Sequence, residues 1–435
     1  MAIKLTRDSN IPDVARILNN LNYNQTLMPT YLDYDVLLEY KSYFCIMRDQ
    51  TAKMLCSMLS MPSMEYVKTK ITDLARATGY IQLFNTTSTG LSWSKESLLN
   101  ITENPQVSEG FKSVIRTYQI YNKACKMIST CNSYLVYPLS DKLSYQKHRM
   151  IECLPTWASQ NTGRVAMREP AIQNLPRPMQ SIITVPQGYQ ILHTDSGQVE
   201  PRIVYSAYIN DIQIKTLINL YDDAYYGLLH YCTVLSDEDI ALGRLDFKPL
   251  EITDQLKASR QKIKTYGNAA MYGSKANTEN DPVKDAMIRR IGSHPLRTRL
   301  VEDLTSKLNS GEKIFYTYFG TPIDISKSPK IESYQERDNF VSELVKLAIN
   351  NPIQGTAADL MRASCDRANT IIMNSKKSAI INYVHDAGTF AIADEDYDSI
   401  ADELSDIVAY QVDDWIPIKA EPEFGRLPGF YPDVF

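Results

Sequence analysis

The stretch "YQILHTDSGQVEPRIVYSAYI" limits what this chain can fold into more than any other. The apolar run "YQIL" leads towards Asp195, and a second apolar run follows Pro201. The first run reads as a buried strand ending at Asp195. The second reads as a helix, because Glu200 and Pro201 then fall in its first turn, where both are favoured. A carboxylate at the end of a buried strand is unfavourable unless something pairs with it. The chain has to bring Asp195 a partner from elsewhere.

"SAIINYVHDAGTFAIAD" reads as two short strands around "HDAG", a tight hairpin whose turn carries Asp386. The two strand-bearing pieces are expected to share one sheet. Between them, residues 213 to about 310 read as largely helical. Residues 1 to about 130 also read as mainly helical. There "SWSKESLLNI" sets a serine before an apolar-periodic run, and "GFKSVIRTYQIYNKACKMIST" is apolar at helical spacing. "NSYLVYPL" reads as a strand, and "NTGRVAMREPAIQNLPRP" as an ordered loop rich in turn formers. The acidic "DEDYDSIADELSD" reads as a solvated helix face rather than a metal site. The fold class is therefore α+β with a discontinuous central domain.

Length and composition set outer bounds. At ~150 residues per domain, 435 residues suggest two or three domains or subdomains. An apolar content of 44% with 22% charged residues is ordinary for a soluble globular protein. No apolar run approaches the ~18–20 residues that span a bilayer, and the N-terminus lacks a signal-peptide core. Asp8 and Asp13 argue against an organelle transit peptide. Seven scattered cysteines, without a C-x-x-C pair, point to reduced thiols in a cytosol-like compartment and no structural zinc. The net charge of −5 does not announce a nucleic-acid binder. Local charge decides that question, and "KASRQKIKTYGNAAMYGSK" holds five basic residues and no acid.

Within that strip, Arg260, Lys264, Asn268 and Tyr272 recur every four residues and share one helix stripe, drifting about 40° per step. Asp195 and Asp386, brought together from separate strands, repel unless divalent cations lie between them. Mg²⁺ prefers a few carboxylates, water and phosphate oxygens. Two such ions can activate an attacking oxygen and stabilise a leaving one. A lysine and an arginine nearby would take up triphosphate charge. The combination describes phosphoryl or nucleotidyl transfer.

Five motifs in order then resemble the family A DNA polymerases. "TDSGQVEPR" is similar to D-Y-S-Q-I-E-x-R of the first palm motif, and "RQKIKTYGNAAMYG" to the fingers helix R-x-x-x-K…Y-G. "YVHDAG" is similar to V-H-D-E, "NTGRVAMREPAIQNLP" to T-G-R-x…x-P-x-x-Q-N-x-P, and "AINNPIQGTAADLM" to N-x-P-x-Q-G-T-A-A-D. The resemblance implies a right-hand fold with an antiparallel palm sheet, fingers and thumb. Its implied boundaries are a thumb and N-terminal helical region at 1–130, palm at 131–215 and 336–435, and fingers at 216–335.

The resemblance also implies roles. Asp195 and Asp386 would be catalytic and ligate two Mg²⁺ ions, helped by the Ser196 carbonyl, with Mn²⁺ able to substitute. Arg260, Lys264, Asn268, Tyr272, Gln198 and Glu200 would line the dNTP site. Glu200 would exclude a 2′-hydroxyl. Arg164, Gln173, Asn174, Arg202, Asn350, Gln354 and His385 would contact primer and template, reading backbone and minor groove as an enzyme for every sequence must.

The match departs at several points. Ala387 stands where the family has glutamate, Ser196 where it has tyrosine, and Gly197 where it has serine. Asn268 stands where it has Phe or Tyr, which is expected to alter discrimination at the nucleotide's 3′ position. A second register, anchored on Tyr266, would make Lys262 the phosphate ligand in place of Lys264. No proofreading exonuclease is expected, since only ~130 residues precede the palm while such a domain takes on the order of two hundred residues. The expected activity is template-directed DNA synthesis on a primer, in a viral or phage-like replicative enzyme. Expected partners are primer–template DNA and dNTPs, with room for a separate exonuclease or processivity subunit and no membrane. The location is cytoplasmic, a host cytoplasm for a viral enzyme. A repair or lesion-bypass polymerase is the nearest alternative, and a non-catalytic primer–template-binding subunit a more distant one.

Overall fold

A computed structural model describes residues 2–13, 27–87, 90–137, 139–140, 148–151, 154–156, 162–168, 172–272, 281–327, 340–375 and 377–425. The chain forms two compact units. One comprises Met1–Thr30, Glu152–Asn174 and Val185–Leu427; the other comprises Tyr31–Ile151, Leu175–Thr184 and Pro428–Phe435.

The first unit is organised by a four-stranded antiparallel sheet. Strand Tyr189–Ser196 lies between Ala387–Ala393 and Ala420–Phe424, and Ala379–Val384 pairs with the outer side of Ala387–Ala393. Alternation along the central strand gives the sheet two different faces. Leu192, Thr194 and Ser196 are buried. Thr194 Oγ1 donates to the Ser405 carbonyl at 2.8 Å and Ser196 Oγ to the Val408 carbonyl at 2.9 Å. His193 and Asp195, on the opposite face, are only partly buried. The two strand-bearing segments thus join in one sheet, as their patterns suggested.

Beyond Asp195 the chain turns through helix Val199–Ile203 and then widens into a π-helical turn, Val204–Tyr208, where Ile209 N–H reaches the Val204 carbonyl at 2.8 Å. The continuous α-helix expected here is therefore interrupted. Helices Ile212–Tyr221, Ala224–Thr233, Asp254–Met271, Pro282–Gly292 and Pro295–Asn309 follow, as their periodicity implied. Asp211, Asp223 and Thr253 each cap the helix that follows with a side-chain oxygen. A short hairpin, Ile314–Tyr316 with Pro322–Asp324, precedes the long helix Phe340–Asn374.

Three local expectations need correction. In "NSYLVYPL", residues Asn132 to Leu135 finish the helix Glu109–Leu135, because buried Ile128, Cys131 and Tyr134 continue its apolar face. Tertiary packing there overrides local strand preference. In "NTGRVAMREPAIQNLPRP", Ala166–Arg168 is a strand paired with Leu154–Thr156. In "DEDYDSIADELSD", helix Tyr397–Ser405 is as expected, but Asp396 is not solvated. Its buried carboxylate accepts from Lys377 N–H and Ser378 N–H at 2.9 Å each and from Ser378 Oγ at 2.8 Å.

The second unit is mainly helical: Tyr34–Met58, Val67–Ala77, Lys95–Glu103 and Glu109–Leu135. Ser94 and Ser108 cap the last two. Leu55, Ile71, Leu98, Ile101, Phe111, Ile115 and Tyr118 form its core. Among the described residues the six cysteines present are free, and no helix is long and apolar enough to cross a membrane.

Gly227 shows how tightly the helical array is drawn together. A Cβ there would lie 2.8 Å from the backbone nitrogen of Ile218 and 2.9 Å from its Cα. Backbone cannot step aside as a flexible side chain can. Gly227→Ala is expected to destabilise the first unit by about 1–3 kcal/mol, read as a lower urea midpoint. An unchanged midpoint would show that the two helices separate freely.

Candidate active site

The site begins at the end of the central strand. Asp195 is paired with Ala387 on one side and Glu421 on the other, and Ser196 N–H donates to the Asp386 carbonyl at 3.1 Å. The sheet register thus sets Asp195, at the end of the central strand, beside Asp386 in the turn between Ala379–Val384 and Ala387–Ala393. His385, next to Asp386, takes a left-handed φ of 55°, uncommon outside glycine. Burial raises the Asp386 carboxyl above its ordinary range, while the Arg164 charge opposes that rise. Burial and the same arginine lower the His385 imidazole, so it is neutral at neutral pH.

Two departures from the family pattern gain a physical account. Ser196 points to the buried face, where its hydroxyl meets the Val408 carbonyl. At Gly197 an added Cβ would lie 2.8 Å from Glu421 Oε1, so a side chain there would displace that carboxylate.

Glu200 sits in the first turn of the following helix. Its Oε1 accepts from Arg164 Nη2, and its Oε2 accepts from Tyr272 Oη at 2.9 Å. Burial, reinforced by the Glu200 charge, raises the Tyr272 phenol, which keeps it a donor. Gln198, with a φ of 55°, holds the start of the neighbouring helix. Its Oε1 accepts from Ala224 N–H at 2.6 Å and its Nε2 donates to Asp223 Oδ2 at 3.0 Å.

Helix Asp254–Met271 presents one face to Tyr225. The Arg260 guanidinium lies 5.7 Å and the Lys264 ammonium 6.0 Å from the ring centroid, a cation–π arrangement. Tyr225 Oη donates to Asn268 Oδ1 at 3.4 Å, and a Cβ on Gly267 would touch the ring at 3.2 Å. Burial pushes the Tyr225 phenol up to about 12. Arg260, Lys264 and Asn268 therefore share a face, and Tyr272 continues towards Glu200. Tyr266 turns away and donates to Asp281 Oδ2 at 2.5 Å. Lys262, one turn before Tyr266, follows that other side. This geometry favours the register through Lys264. Gly273 of the second Tyr-Gly pair lies outside the described residues.

The expected primer–template residues are less uniform. Asn350 and Gln354 are partly exposed, one turn apart on the Phe340–Asn374 helix, with Gln354 Nε2 donating to Asn350 Oδ1 at 3.1 Å. Asn174 is exposed at the end of the turn Ile172–Asn174, which also holds Gln173. Arg202 is not brought to this group. It is 3% exposed, and it donates to the Pro417 carbonyl at 2.6 Å, the Asp222 carbonyl at 3.1 Å and Asp222 Oδ1 at 3.3 Å. The structure makes it an internal brace.

Asp223 and Tyr225 belong to the site but were not anticipated. An aspartate before the apolar run "AYYGLLHYC" signals a helix start. Nothing local signals that this start faces Arg260. Among the described residues no group of three or more His, Cys, Asp or Glu could hold a metal. Two carboxylates with hard oxygen donors nevertheless fit Mg²⁺, which fills most of its positions with water and phosphate oxygens. Asp195 and Asp386 would hold such ions.

The comparisons place this geometry. The family model for DNA polymerase family A matches residues 303–427. DNA polymerase I of Rhizobium leguminosarum is 24% identical over 254 residues, covering 55% of this chain and 23% of that protein. DNA polymerase I of Pseudomonas aeruginosa is 23% identical over 279 residues, covering 61% of this chain and 28% of that protein. The chain thus spans about a quarter of the length of these curated relatives. The fold is similar to that of the POL domain of Pol1 from M. smegmatis in complex with DNA primer-template and dNTP. That match has a TM-score of 0.72 at 17% identity and covers 93% of this chain and 67% of the other. The right-hand polymerase fold expected from the motifs is the fold observed.

The reassigned Arg202 is open to a direct check. Arg202→Ala is expected to destabilise the fold by about 2–4 kcal/mol. The affinity of the folded variant for primed DNA should stay within about twofold of the parent, since an internal brace touches no phosphate. A loss of DNA affinity with an unchanged melting temperature would return Arg202 to the nucleic-acid surface.

Proposed function

We propose that this chain, which carries a family A DNA polymerase domain, adds dNMP from dNTPs to a primer 3′-hydroxyl along a DNA template and releases pyrophosphate. One juxtaposition carries the reading: Asp195 at the end of the central strand beside Asp386 in the adjoining hairpin turn, in a unit that also presents Arg260 and Lys264 on one helix face. Oxygen donors for metal and fixed cations for phosphate are the two requirements of nucleotidyl transfer. That a solved relative of this fold was captured with DNA primer-template and dNTP supports the substrate class.

In this reading two Mg²⁺ ions, when bound, would activate the primer hydroxyl and stabilise the leaving pyrophosphate. Asp195 and Asp386 would hold them, with the Ser196 carbonyl. Arg260 and Lys264 draw in the triphosphate. Glu200, braced by Arg164 and Tyr272, lies under the sugar and leaves no room for a 2′-hydroxyl. Asn174, Asn350, Gln354, Gln173 and His385 are the residues assigned to primer–template contact. The mainly helical N-terminal region serves as thumb, the central sheet as palm and the helical array between its strands as fingers. Proofreading is proposed to be absent from these 435 residues, and the role to be replicative, in a viral or phage-like setting.

Purified protein with a primed template, dNTPs and Mg²⁺ should extend the primer. EDTA should stop it, and Mg²⁺ or Mn²⁺ should restore it. No extension under any of these conditions would defeat the reading. Two variants test finer assignments. Glu200→Ala should raise ribonucleotide incorporation by about tenfold or more, and unchanged sugar selectivity would remove Glu200 from the sugar site. Asn268→Tyr should change dideoxynucleotide incorporation, whereas identical selectivity in both proteins would sink the placement of Asn268 at the 3′ position.

A further inference from the structure

Arg260, the cation assigned above to the triphosphate, is already engaged. Its Nε and Nη2 both donate to Asp223 Oδ2, at 2.9 and 2.7 Å. That same oxygen accepts from Gln198 Nε2 at 3.0 Å, and Asp223 Oδ1 accepts from Tyr225 N–H at 2.9 Å and Tyr226 N–H at 3.0 Å. The two partners are held very differently. The carboxylate is fixed by a helix cap and a glutamine amide, and its side chain is 12% exposed. The arginine reaches it on a long side chain from another helix and is 37% exposed.

From this geometry we infer that Asp223 is an internal competitor for Arg260, a fixed carboxylate that sets the dNTP concentration at which the site fills. The inference rests on the proposed phosphate-binding role of Arg260. A carboxylate paired through Nε and Nη2 occupies one of the two edges of the guanidinium that can make a two-point contact with a phosphate, and it offsets the charge felt at the other. An incoming triphosphate that takes the other edge therefore meets a cation already partly compensated, and one that takes the Nε edge must draw Arg260 from Asp223. It can do so because it offers more charge and Lys264 stands one turn away on the same face. Asp223 cannot follow, since its other oxygen stays committed to the helix start. The same competition returns Arg260 to Asp223 once pyrophosphate leaves. An interaction weakened equally in bound substrate and transition state changes KM and leaves kcat alone.

Asp223→Asn isolates the charge, because asparagine caps a helix as well as aspartate does. Steady-state single-nucleotide insertion on a primed template should show KM for dNTP lowered about 3- to 10-fold, with kcat within about twofold, and tighter product inhibition by pyrophosphate. Asp223→Ser, which also caps, should move KM in the same direction. Thermal melts confirm that each variant is folded. In an Arg260→Ala background the Asp223→Asn effect should vanish. A raised KM in Asp223→Asn would make Asp223 a residue that positions Arg260 for substrate, and an unchanged KM would make the pair irrelevant; either overturns the inference. If Arg260→Ala itself leaves KM unchanged, the phosphate assignment of Arg260 fails and the inference with it. If Arg260→Ala raises KM but Asp223→Asn does not lower it, only the competition fails.

Discussion

One strand pairing organises the candidate site: Tyr189–Ser196 held between Ala387–Ala393 and Ala420–Phe424. Side chains alternate along a strand, so a slip of one residue would send Asp195 to the buried face and Thr194 to the open one. The register is pinned from the buried side. Leu192 enters the core, and the hydroxyls of Thr194 and Ser196 are tied to the carbonyls of Ser405 and Val408. Aspartates far apart in sequence become neighbours because hydrophobic and hydrogen-bonding terms on one face fix what the other face displays. Such non-local pairing carries a large loop-closure entropy, which the extensive core of this unit offsets.

Charge is partitioned with similar economy. The chain is acidic overall, yet its site separates carboxylates on the sheet from cations on a helix. Acidic residues near those cations are assigned fixed duties: Asp223 caps a helix and holds Arg260, and Glu200 is held between Arg164 and Tyr272. Partnered carboxylates of this kind, Asp223 buried and Glu200 partly so, are held in place by their hydrogen bonds. The proposed nucleotide site thus gathers its cations on one helix face inside an anionic protein, a local arrangement that the global charge does not reveal.

Much of this was legible in the sequence. The strand ending at Asp195, the hairpin turn at Asp386 and the stripe through Arg260 and Lys264 each follow a short period or turn rule. What stayed hidden depends on partners far along the chain. Arg202 looked like a surface cation until Pro417 and Asp222 closed around it. Asp396 looked solvated until Lys377 and Ser378 supplied its donors. Asn132 to Leu135 looked like a strand because β-formers crowd there, but the preceding helix had an apolar face to complete. The Asp223–Arg260 pair joins two helices that no local pattern aligns.

A crystal structure with dideoxy-terminated primer, template, the next dNTP and Mn²⁺ tests the central claim most directly. The account predicts anomalous manganese peaks coordinated by both Asp195 and Asp386, with the triphosphate against Arg260 and Lys264. Manganese bound away from those two aspartates, or a triphosphate held by Lys262 on the opposite side of the helix, would contradict it.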